Sequence, residues 1–245
     1  MNLQVINTGS KGNCYILGNE EESLIIEAGV NIKDIMKAID FKINKVAGCL
    51  VSHEHNDHAA AVGELTKKGI DVFASSGTLK ALNVKSHRAK SIGVEATYKA
   101  GNFIFRAYKV KHDAAEPVCF EIFHSSVGKI VFVTDTNICN YTFQGVNHFI
   151  IEANYDEKLL FNSKHKGELF LKRRIAKNHF SIQDAVRFLN KHNKDIIKNV
   201  ILIHLSDNNS HEIDFGGYVL DIGLYSLIAD KGKVFNLLEN SQLPF

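Results

Sequence analysis

Cysteine and proline are both scarce in this sequence, whose 245 residues include four cysteines and two prolines. The cysteines (Cys14, Cys49, Cys119 and Cys139) show no C-x-x-C spacing, and three of them lie in apolar runs, so we expect buried free thiols. This usage predicts a reducing, cytoplasmic setting. There is no low-complexity segment, Pro-rich linker or short repeat. We therefore expect a single domain over residues 1–245.

Neither a signal peptide nor a membrane span is predicted. The opening segment MNLQVINTGSKGN has no basic region and no apolar region. The longest apolar stretch, residues 218–229, is interrupted by Asp221 and is too short to cross a bilayer. The 29 Lys and Arg nearly balance the 27 Asp and Glu, giving a net charge of +2. Any nucleic-acid hypothesis must therefore rest on local chemistry.

Short apolar runs separated by turns or helical patterns predict a layered fold. Strands are predicted at residues 3–7, 14–17, 24–27, 48–51, 103–111, 118–123, 130–134, 149–151, 200–203 and 232–238. Helices are predicted at residues 31–39, 59–68, 168–177 and 182–192. Runs of strands, followed by strands alternating with helices, indicate sheets packed between helices.

Five polar residues stand directly after apolar strands or at their ends: His53, His112, Asp135, Glu152 and His204. Sheet proteins gather their functional residues at the carboxyl ends of strands. We therefore expect these five side chains to converge on one edge of the fold.

The segment from His53 to His58 reads H-E-H-N-D-H, which is the pattern H-x-H-x-D-H. His53 and His55 would face one way on an extended loop, and Asp57 and His58 would lie where that loop turns into a helix. Imidazoles and a carboxylate are ligands that Zn²⁺ accepts. A solvated His-rich turn is the alternative, which the position directly after a buried strand disfavours.

Two ions need more ligands than one loop provides. We assign His53, His55 and His112 to one divalent ion, and Asp57, His58 and His204 to the other, with Asp135 bridging. Zinc is the expected metal, with manganese as the alternative. A water bridging the two ions would lose a proton near neutral pH and act as the nucleophile, while the ions neutralise developing charge. Taken singly, His112 or His204 could be a core histidine, and Asp135 a turn cap.

This ligand order resembles the metallo-β-lactamase superfamily, whose signature is H-x-H-x-D-H followed by a His, an Asp and a His. Within it, the chain looks like the YycJ/WalJ-like group, on the segments GSKGNCY at 9–15, HDAAEP at 112–117, TD at 134–135, EANYD at 152–156, LKRRI at 171–175, HFS at 179–181 and HLSDNN at 204–209. The resemblance implies an α/β fold, an αββα four-layer sandwich with the dinuclear metal site at one edge of the two sheets. It also implies a 5′→3′ exonuclease acting on DNA.

A more distant resemblance, to tRNase Z enzymes, concerns the leaving group. There a Glu in an E-A segment and a His opening an H-S-T segment act on it, and Glu152 and His179 stand in the matching places. A carboxylate that holds an imidazolium suits protonation of a departing sugar oxygen. The catalytic candidates are therefore Asp57, His179 and Glu152. In the simpler interpretation Glu152 is a strand-end charge and His179 only precedes the helix cap Ser181.

The chain departs from the family pattern at several places. Glu27 stands where the family usually has Asp, and Asn137 stands where Gly is common. Residues 215–245 match no family pattern. The chain has no room for the inserted domain of ribonuclease J-type enzymes, and it has no Gly-rich arm of the tRNase Z kind, which argues against tRNA 3′ processing.

The expected partner is a nucleic-acid substrate, DNA rather than RNA. Ser10 and Asn13 lie in a Gly-rich turn whose backbone N–H groups could contact a phosphate, although a plain hairpin turn has the same composition; Asn208 is the third substrate-binding candidate. The stretch 164–177 could follow a phosphate backbone or form a solvated helix face. Its cations are Lys164, Lys166, Lys172, Arg173, Arg174 and Lys177.

Other functions remain open at this point. The first alternative is a small-molecule hydrolase of the same fold, acting on a thioester, lactone or cyclic phosphodiester. A mononuclear iron dioxygenase would keep the same motif, whereas flavodiiron proteins place Glu where His55 stands. A non-catalytic binding module is the last alternative. No membrane partner is expected, and the oligomeric state is not indicated.

Overall fold

Two seven-stranded sheets run through residues 1–162, 169–206 and 209–238, the part of the chain that the computed structural model describes. The first sheet has the spatial order β14 (Val234–Asn236), β1 (Asn2–Asn7), β2 (Cys14–Gly18), β3 (Ser23–Ile26), β4 (Val46–Leu50), β5 (Val72–Ser75) and β6 (Ala89–Ile92). The second has the order β13 (Ser226–Ile228), β12 (Asn199–Ile203), β11 (Val146–Glu152), β10 (Gly128–Val133), β9 (Val118–His124), β8 (Phe103–Lys109) and β7 (Thr97–Ala100).

Each sheet combines antiparallel and parallel pairing. In the first sheet β14, β1, β2 and β3 pair antiparallel, whereas β3 to β6 pair parallel. In the second sheet β7 to β10 pair antiparallel and β10 to β13 pair parallel. Because β10, β11 and β12 run in the same direction, the residues that end them or follow them meet at one edge. Asp135, Glu152 and His204 are those residues.

Helices cover the outer faces of both sheets. Those that follow strands of the first sheet are α1 (Ile32–Ala38), α2 (Asn56–Ala59), α3 (Val62–Lys67) and α4 (Ser76–Ala81). Those that follow strands of the second are α5 (Glu157–Asn162), α6 (Leu169–Asn178), α7 (Ile182–Leu189) and α8 (Glu212–Leu220).

Three hydrophobic clusters define the order of the layers. The central one joins side chains of both sheets, such as Leu17 and Phe120, and therefore lies between them. A second packs α7 and α8 against the outer face of the second sheet, and a third packs α1 and α3 against the first. The order is helix, sheet, sheet, helix, and the predicted αββα sandwich is confirmed.

The predicted helix at residues 59–68 is wrong in one respect. It is divided into α2 and α3, because the N–H of Ala61 donates to the carbonyl of Ala28 at 2.9 Å instead of continuing the helix. The strand predicted at 103–111 ends at Lys109, since the N–H of Lys111 turns away to the hydroxyl of Thr136. Both changes depend on partners distant in the sequence.

The residues that precede α1 and α7 in the sequence cap these helices with their side chains. Asn31 caps α1 by accepting from the N–H of Lys33, and Ser181 caps α7 by accepting from the N–H of Asp184. The carboxyl-terminal region that matched no family pattern completes both sheets, since β13 pairs with β12 and β14 pairs with β1. The four cysteines are free and buried, as predicted. Within the described ranges, no helix has the length and hydropathy needed to span a membrane.

His148, on β11, is a fully buried neutral histidine. Its Nε2 lies 3.0 Å from the carbonyl oxygen of Val127, and its Nδ1 lies 3.0 Å from the side-chain nitrogen of Asn199. Burial is the main cause that lowers the pKa of His148 from 6.5 to about 4, and the nearby Lys198 acts in the same direction. Protonation would turn Nδ1 into a donor facing another donor.

We expect this histidine to make the fold acid-sensitive. Because the pKa of His148 is lower in the folded state, the unfolded chain takes up the proton first, and stability falls as the pH decreases from about 6.5 to about 4. The loss approaches about 3 kcal/mol at the lower end. His148→Gln keeps a donor and an acceptor but cannot titrate, so its free energy of unfolding should fall less over this range. The exposed His87→Gln is the control and should follow the wild type; identical pH dependence in all three would contradict the account.

Candidate metal centre

The H-x-H-x-D-H segment forms the first wall of the site. The chain leaves β4 at Leu50 and stays extended as far as His55, whose φ and ψ are −59° and 145°. α2 then begins at Asn56, so Asp57 and His58 lie in its first turn. This is the arrangement predicted from the spacing: two histidines on an extended loop and two further donors where the helix begins.

The other donors arrive from the second sheet. His112 lies beyond the end of β8, while Asp135 and His204 lie just past β10 and β12. Asp135 and His204 adopt positive φ angles of 44° and 55°. Non-glycine residues in that region are strained, and such strain is concentrated at functional sites. Both side chains reach His58 on the loop of the first sheet: Oδ2 of Asp135 is 3.5 Å from Nε2 of His58, and the ring centroids of His204 and His58 are 5.7 Å apart.

Asp135, Glu152, His179 and His204 form one group of possible metal donors, beside two further groups that contain the loop residues and share the carboxylate of Asp135. Of these two, one comprises His53, His55, His112 and Asp135, and the other comprises Asp57, His58, Asp135 and His204. In each, one ligand atom per residue lies within 4.8 Å of the others. Oδ2 of Asp135 is 3.5 Å from Nε2 of both His58 and His112. This is the grouping expected for two ions with Asp135 between them.

The chemistry of these donors fits divalent metal ions. Nδ1 of His53 is 2.9 Å from the hydroxyl of Ser52, whereas its buried Nε2 has no hydrogen-bond partner among the described residues. Burial, followed by the neighbouring His58, holds the pKa of His53 well below its ordinary value. A neutral, buried imidazole nitrogen directed into a cluster of histidines and a carboxylate is the form in which histidine ligates Zn²⁺ and related metals.

Asp135 and His204 are stabilised in their charged forms by each other and by neighbouring groups. Burial alone would raise the pKa of Asp135, but His204 and His58 outweigh it and hold the pKa well below its ordinary value. Burial would likewise lower the pKa of His204, yet Asp135 and Glu152 raise it to about 10. Protons and metal ions compete for such imidazoles, so loading the site should release protons.

Glu27 orients His58 from behind. Its Oε2 lies 3.3 Å from Nδ1 of His58, and both side chains are fully buried. The N–H of Ser52 donates to the other oxygen of Glu27 at 3.2 Å. Glu27 also has a positive φ of 63°. A carboxylate on the second nitrogen of a metal-ligating imidazole fixes the orientation of the ring, so Glu27 is placed to orient His58 as a candidate ligand.

Backbone contacts support the loop that carries Asp57 and His58. The N–H of Ala28 donates to the carbonyl of His58, and the N–H of Asn13 donates to the carbonyl of Asp57, each at 2.7 Å. Gly29 is so close that a Cβ there would overlap the carbonyl of Asp57. Only glycine allows this approach of two backbones.

Gly29→Ala should therefore displace the metal-binding loop. We expect the free energy of unfolding to fall by about 2 kcal/mol and metal affinity to fall at least about tenfold. Denaturant unfolding and isothermal titration with Zn²⁺ measure both. Gly63→Ala is the matched control, because a Cβ at Gly63 meets nothing within 4 Å. Equal zinc affinity in the two variants would show that the contact is unimportant.

Glu152 and His179 form an ion pair beside the candidate metal ligands. Nδ1 of His179 is 2.7 Å from Oε1 of Glu152, and Nδ1 of His204 is 2.9 Å from the same oxygen. The other oxygen of Glu152, Oε2, accepts from the backbone N–H of Thr136 at 3.3 Å and from that of Phe180 at 3.2 Å. Burial would lower the pKa of His179, but Glu152 outweighs it and raises the pKa. The raised pKa favours the protonated form of His179, and this side chain lines a cavity beside the candidate ligands.

The cluster opens into a cavity of about 420 Å³. Ser10, His55, Asp57, His112 and Asp135 line one side, with His179 and His204 beside them. α6 forms another wall. Asp57 is the more open of the two carboxylates assigned as ligands, with 28% of its side chain exposed against 3% for Asp135.

The substrate-binding candidates are placed differently from one another. Ser10 lines the cavity, whereas Asn13 is buried beneath the turn, with Nδ2 3.1 Å from Nε2 of His58 and 3.1 Å from the carbonyl of Gly9. Asn208 lies outside the described residues, as do Lys164 and Lys166.

In the basic stretch 164–177, Arg174 lines the cavity and Lys172 is buried. No sequence pattern pointed to Asn178, whose backbone carbonyl lies 3.0 Å from Nδ1 of His112. Any residue type can supply that carbonyl, so composition cannot reveal it.

The fold and this arrangement of donors define a metallo-hydrolase class. Residues 7–137 match the metallo-beta-lactamase superfamily, and the chain belongs to that superfamily. The chain is 31% identical to a Bacillus anthracis protein named exodeoxyribonuclease YycJ, over 87% of this chain and 86% of that protein. It is 27% identical to exodeoxyribonuclease WalJ of Streptococcus pneumoniae, over 84% and 82% of the two chains.

Solved structures show the same fold at lower identity. The metallo-beta-lactamase fold protein YhfI from Bacillus subtilis superposes with a TM-score of 0.75 at 16% identity, covering 96% of this chain and 99% of that one. The short form of human tRNase Z superposes with a TM-score of 0.65 at 14% identity, covering 97% and 99%. These two likenesses support the architecture alone.

Proposed function

We propose that the protein is a metal-dependent phosphodiesterase that degrades DNA as an exonuclease. The observation that carries the proposal is the contact between Glu152 and His179, which holds an imidazole of raised pKa on the cavity wall, beside the candidate metal ligands. Ester hydrolysis needs a nucleophile on one side of the phosphorus and a proton for the leaving oxygen on the other. The exodeoxyribonuclease names of the two relatives support DNA as the substrate.

The proposed ligand sets follow the two geometric groups. His53, His55 and His112 would hold one ion, Asp57, His58 and His204 the other, and Asp135 would bridge them. Zinc suits the imidazole-rich donors, and manganese is the alternative. When bound, two such ions supply an activated water and neutralise charge on the phosphate oxygens.

The side chains of His179, Glu152 and Asp57 would protonate the leaving group, orient a ligand and face the substrate, in that order. Glu152 holds the His179 ring by one nitrogen, leaving the other free to donate to the departing sugar oxygen. The same carboxylate contacts Nδ1 of His204, so it also fixes the orientation of a proposed ligand. Asp57 would act as a ligand and as the carboxylate nearest the incoming substrate.

Cleavage of end-labelled single- and double-stranded DNA and RNA, with Mn²⁺ or Zn²⁺, tests the proposal, with Asp135→Ala as the blank. Cleavage by the wild type alone would support a nuclease, and the product ladder would give its direction. If nucleic acid stays intact while a thioester, a lactone or bis(p-nitrophenyl) phosphate is hydrolysed, the function is that of a small-molecule hydrolase.

A further inference from the structure

α6 presents one face to the cavity. Leu171, Arg174, Ile175 and Asn178 all line it, at the i, i+3, i+4 and i+7 spacing of a single helical face. Arg174 is the one lysine or arginine among the described residues of the cavity wall. Its guanidinium is exposed, and guanidinium groups bind phosphate with two parallel hydrogen bonds.

An exposed aromatic ring stands next to this face. Phe170 is 81% exposed, and it is flanked by Leu169 and Leu171, which are 49% and 54% exposed. Phe170 and Arg174 are four residues apart on the same helix, a spacing that makes them neighbours on its surface. Contiguous exposed apolar side chains beside a polar site are typical of a binding surface.

The partner of this surface must be flat and apolar at one end and anionic at the other. A nucleotide has both properties, because its base has a π-face for stacking and its phosphate suits a guanidinium. A base within a duplex is already stacked on both sides, whereas a base in a single strand offers its face to a protein ring. The pair therefore favours a single strand.

We propose that α6 binds the end of a single nucleic-acid strand, with a base stacked on Phe170 and a backbone phosphate on Arg174, so that the scissile bond enters the cavity. This proposal rests on the proposed nuclease function and specifies the form of its substrate. The same helix face would then serve both as cavity wall and as strand guide.

Steady-state cleavage of a short single-stranded deoxyoligonucleotide by the metal-loaded protein tests the stacking contact. Phe170→Ala should raise the KM at least about fivefold, the effect expected from losing one stacked base. Phe170→Trp keeps a ring and should retain wild-type KM. Phe41→Ala is the matched control, since Phe41 is also exposed but follows α1 on the other sheet.

Arg174 has its own matched control. Arg174→Gln should raise the KM, whereas Arg173→Gln should not, because Arg173 is exposed on the same helix but lies off the cavity wall. Abasic residues placed singly near the strand end complete a double-mutant cycle with Phe170. At the stacked position the abasic residue should raise the KM of the wild type as Phe170→Ala does, and the two changes should not add.

The outcomes separate this inference from the proposed function. If the wild type cleaves single-stranded DNA but Phe170→Ala keeps its KM, or if the abasic and Phe170→Ala effects add at every position, the strand-binding role of α6 is overturned alone. Cleavage of a blunt duplex with a KM as low as that of the single strand would also overturn it. If the wild type cleaves no nucleic acid, the proposed function fails and this inference fails with it.

Discussion

Asp135→Ala is expected to reduce metal-dependent hydrolysis by at least about a thousandfold, because it removes the one carboxylate shared by both donor groups. Its Oδ2 is 3.5 Å from His58 and His112, and its Oδ1 is 2.7 Å from Nδ1 of His204. Among the described residues, Asp135 is the one that these two groups have in common. Initial rates with saturating Mn²⁺ or Zn²⁺ measure the loss.

The fold should survive this change. Asp135 belongs to none of the three hydrophobic clusters, so circular dichroism and the denaturant midpoint should show a folded protein. Asp113→Ala is the charge-matched control, since Asp113 is an exposed carboxylate on the cavity wall outside both donor groups. Full activity in Asp135→Ala would contradict the two-metal assignment.

His179→Ala is expected to lower kcat on DNA by about a hundredfold to ten-thousandfold, the usual contribution of a positioned acid. Metal content should stay at the wild-type level, because His179 is assigned to neither ion. Glu152→Gln should have a related effect, since it removes the charge that raises the pKa of His179. Single-turnover cleavage and metal analysis of the purified variants measure the two quantities.

The leaving group distinguishes proton donation from a purely structural role. p-Nitrophenolate departs without a proton, so His179→Ala should slow bis(p-nitrophenyl) phosphate hydrolysis far less than DNA cleavage. Equal losses on both substrates would indicate that His179 positions the site instead. An unchanged rate on DNA would remove it from catalysis altogether.

The candidate metal ligands could be proposed from the sequence because most of them share one loop. Four of the candidates lie within six positions, directly after a buried strand: His53, His55, Asp57 and His58. Their H-x-H-x-D-H spacing identifies this loop as a candidate metal site. His112, Asp135 and His204 were found because each follows a strand. Those positions depend on where strands end, and the end of β8 lies two residues before the predicted one.

What the sequence did not reveal depends on distant partners. The break after α2 results from a hydrogen bond between Ala61 and Ala28, and no local pattern encodes it. Strands β5, β6, β7 and β13 were not predicted, because runs of three or four residues carry little periodic signal. The role of α6 as a cavity wall was equally hidden, since its sequence reads as a charged surface helix. Only the packed structure separates Arg174 from Arg173.

Anomalous scattering from crystals grown with Mn²⁺ or Zn²⁺ tests the central claim most directly. We expect two peaks about 3.5–4 Å apart, one among His53, His55 and His112, the other among Asp57, His58 and His204, with Asp135 between them. A single peak, or two peaks elsewhere, at saturating metal would contradict the dinuclear centre on which the proposed phosphodiesterase depends.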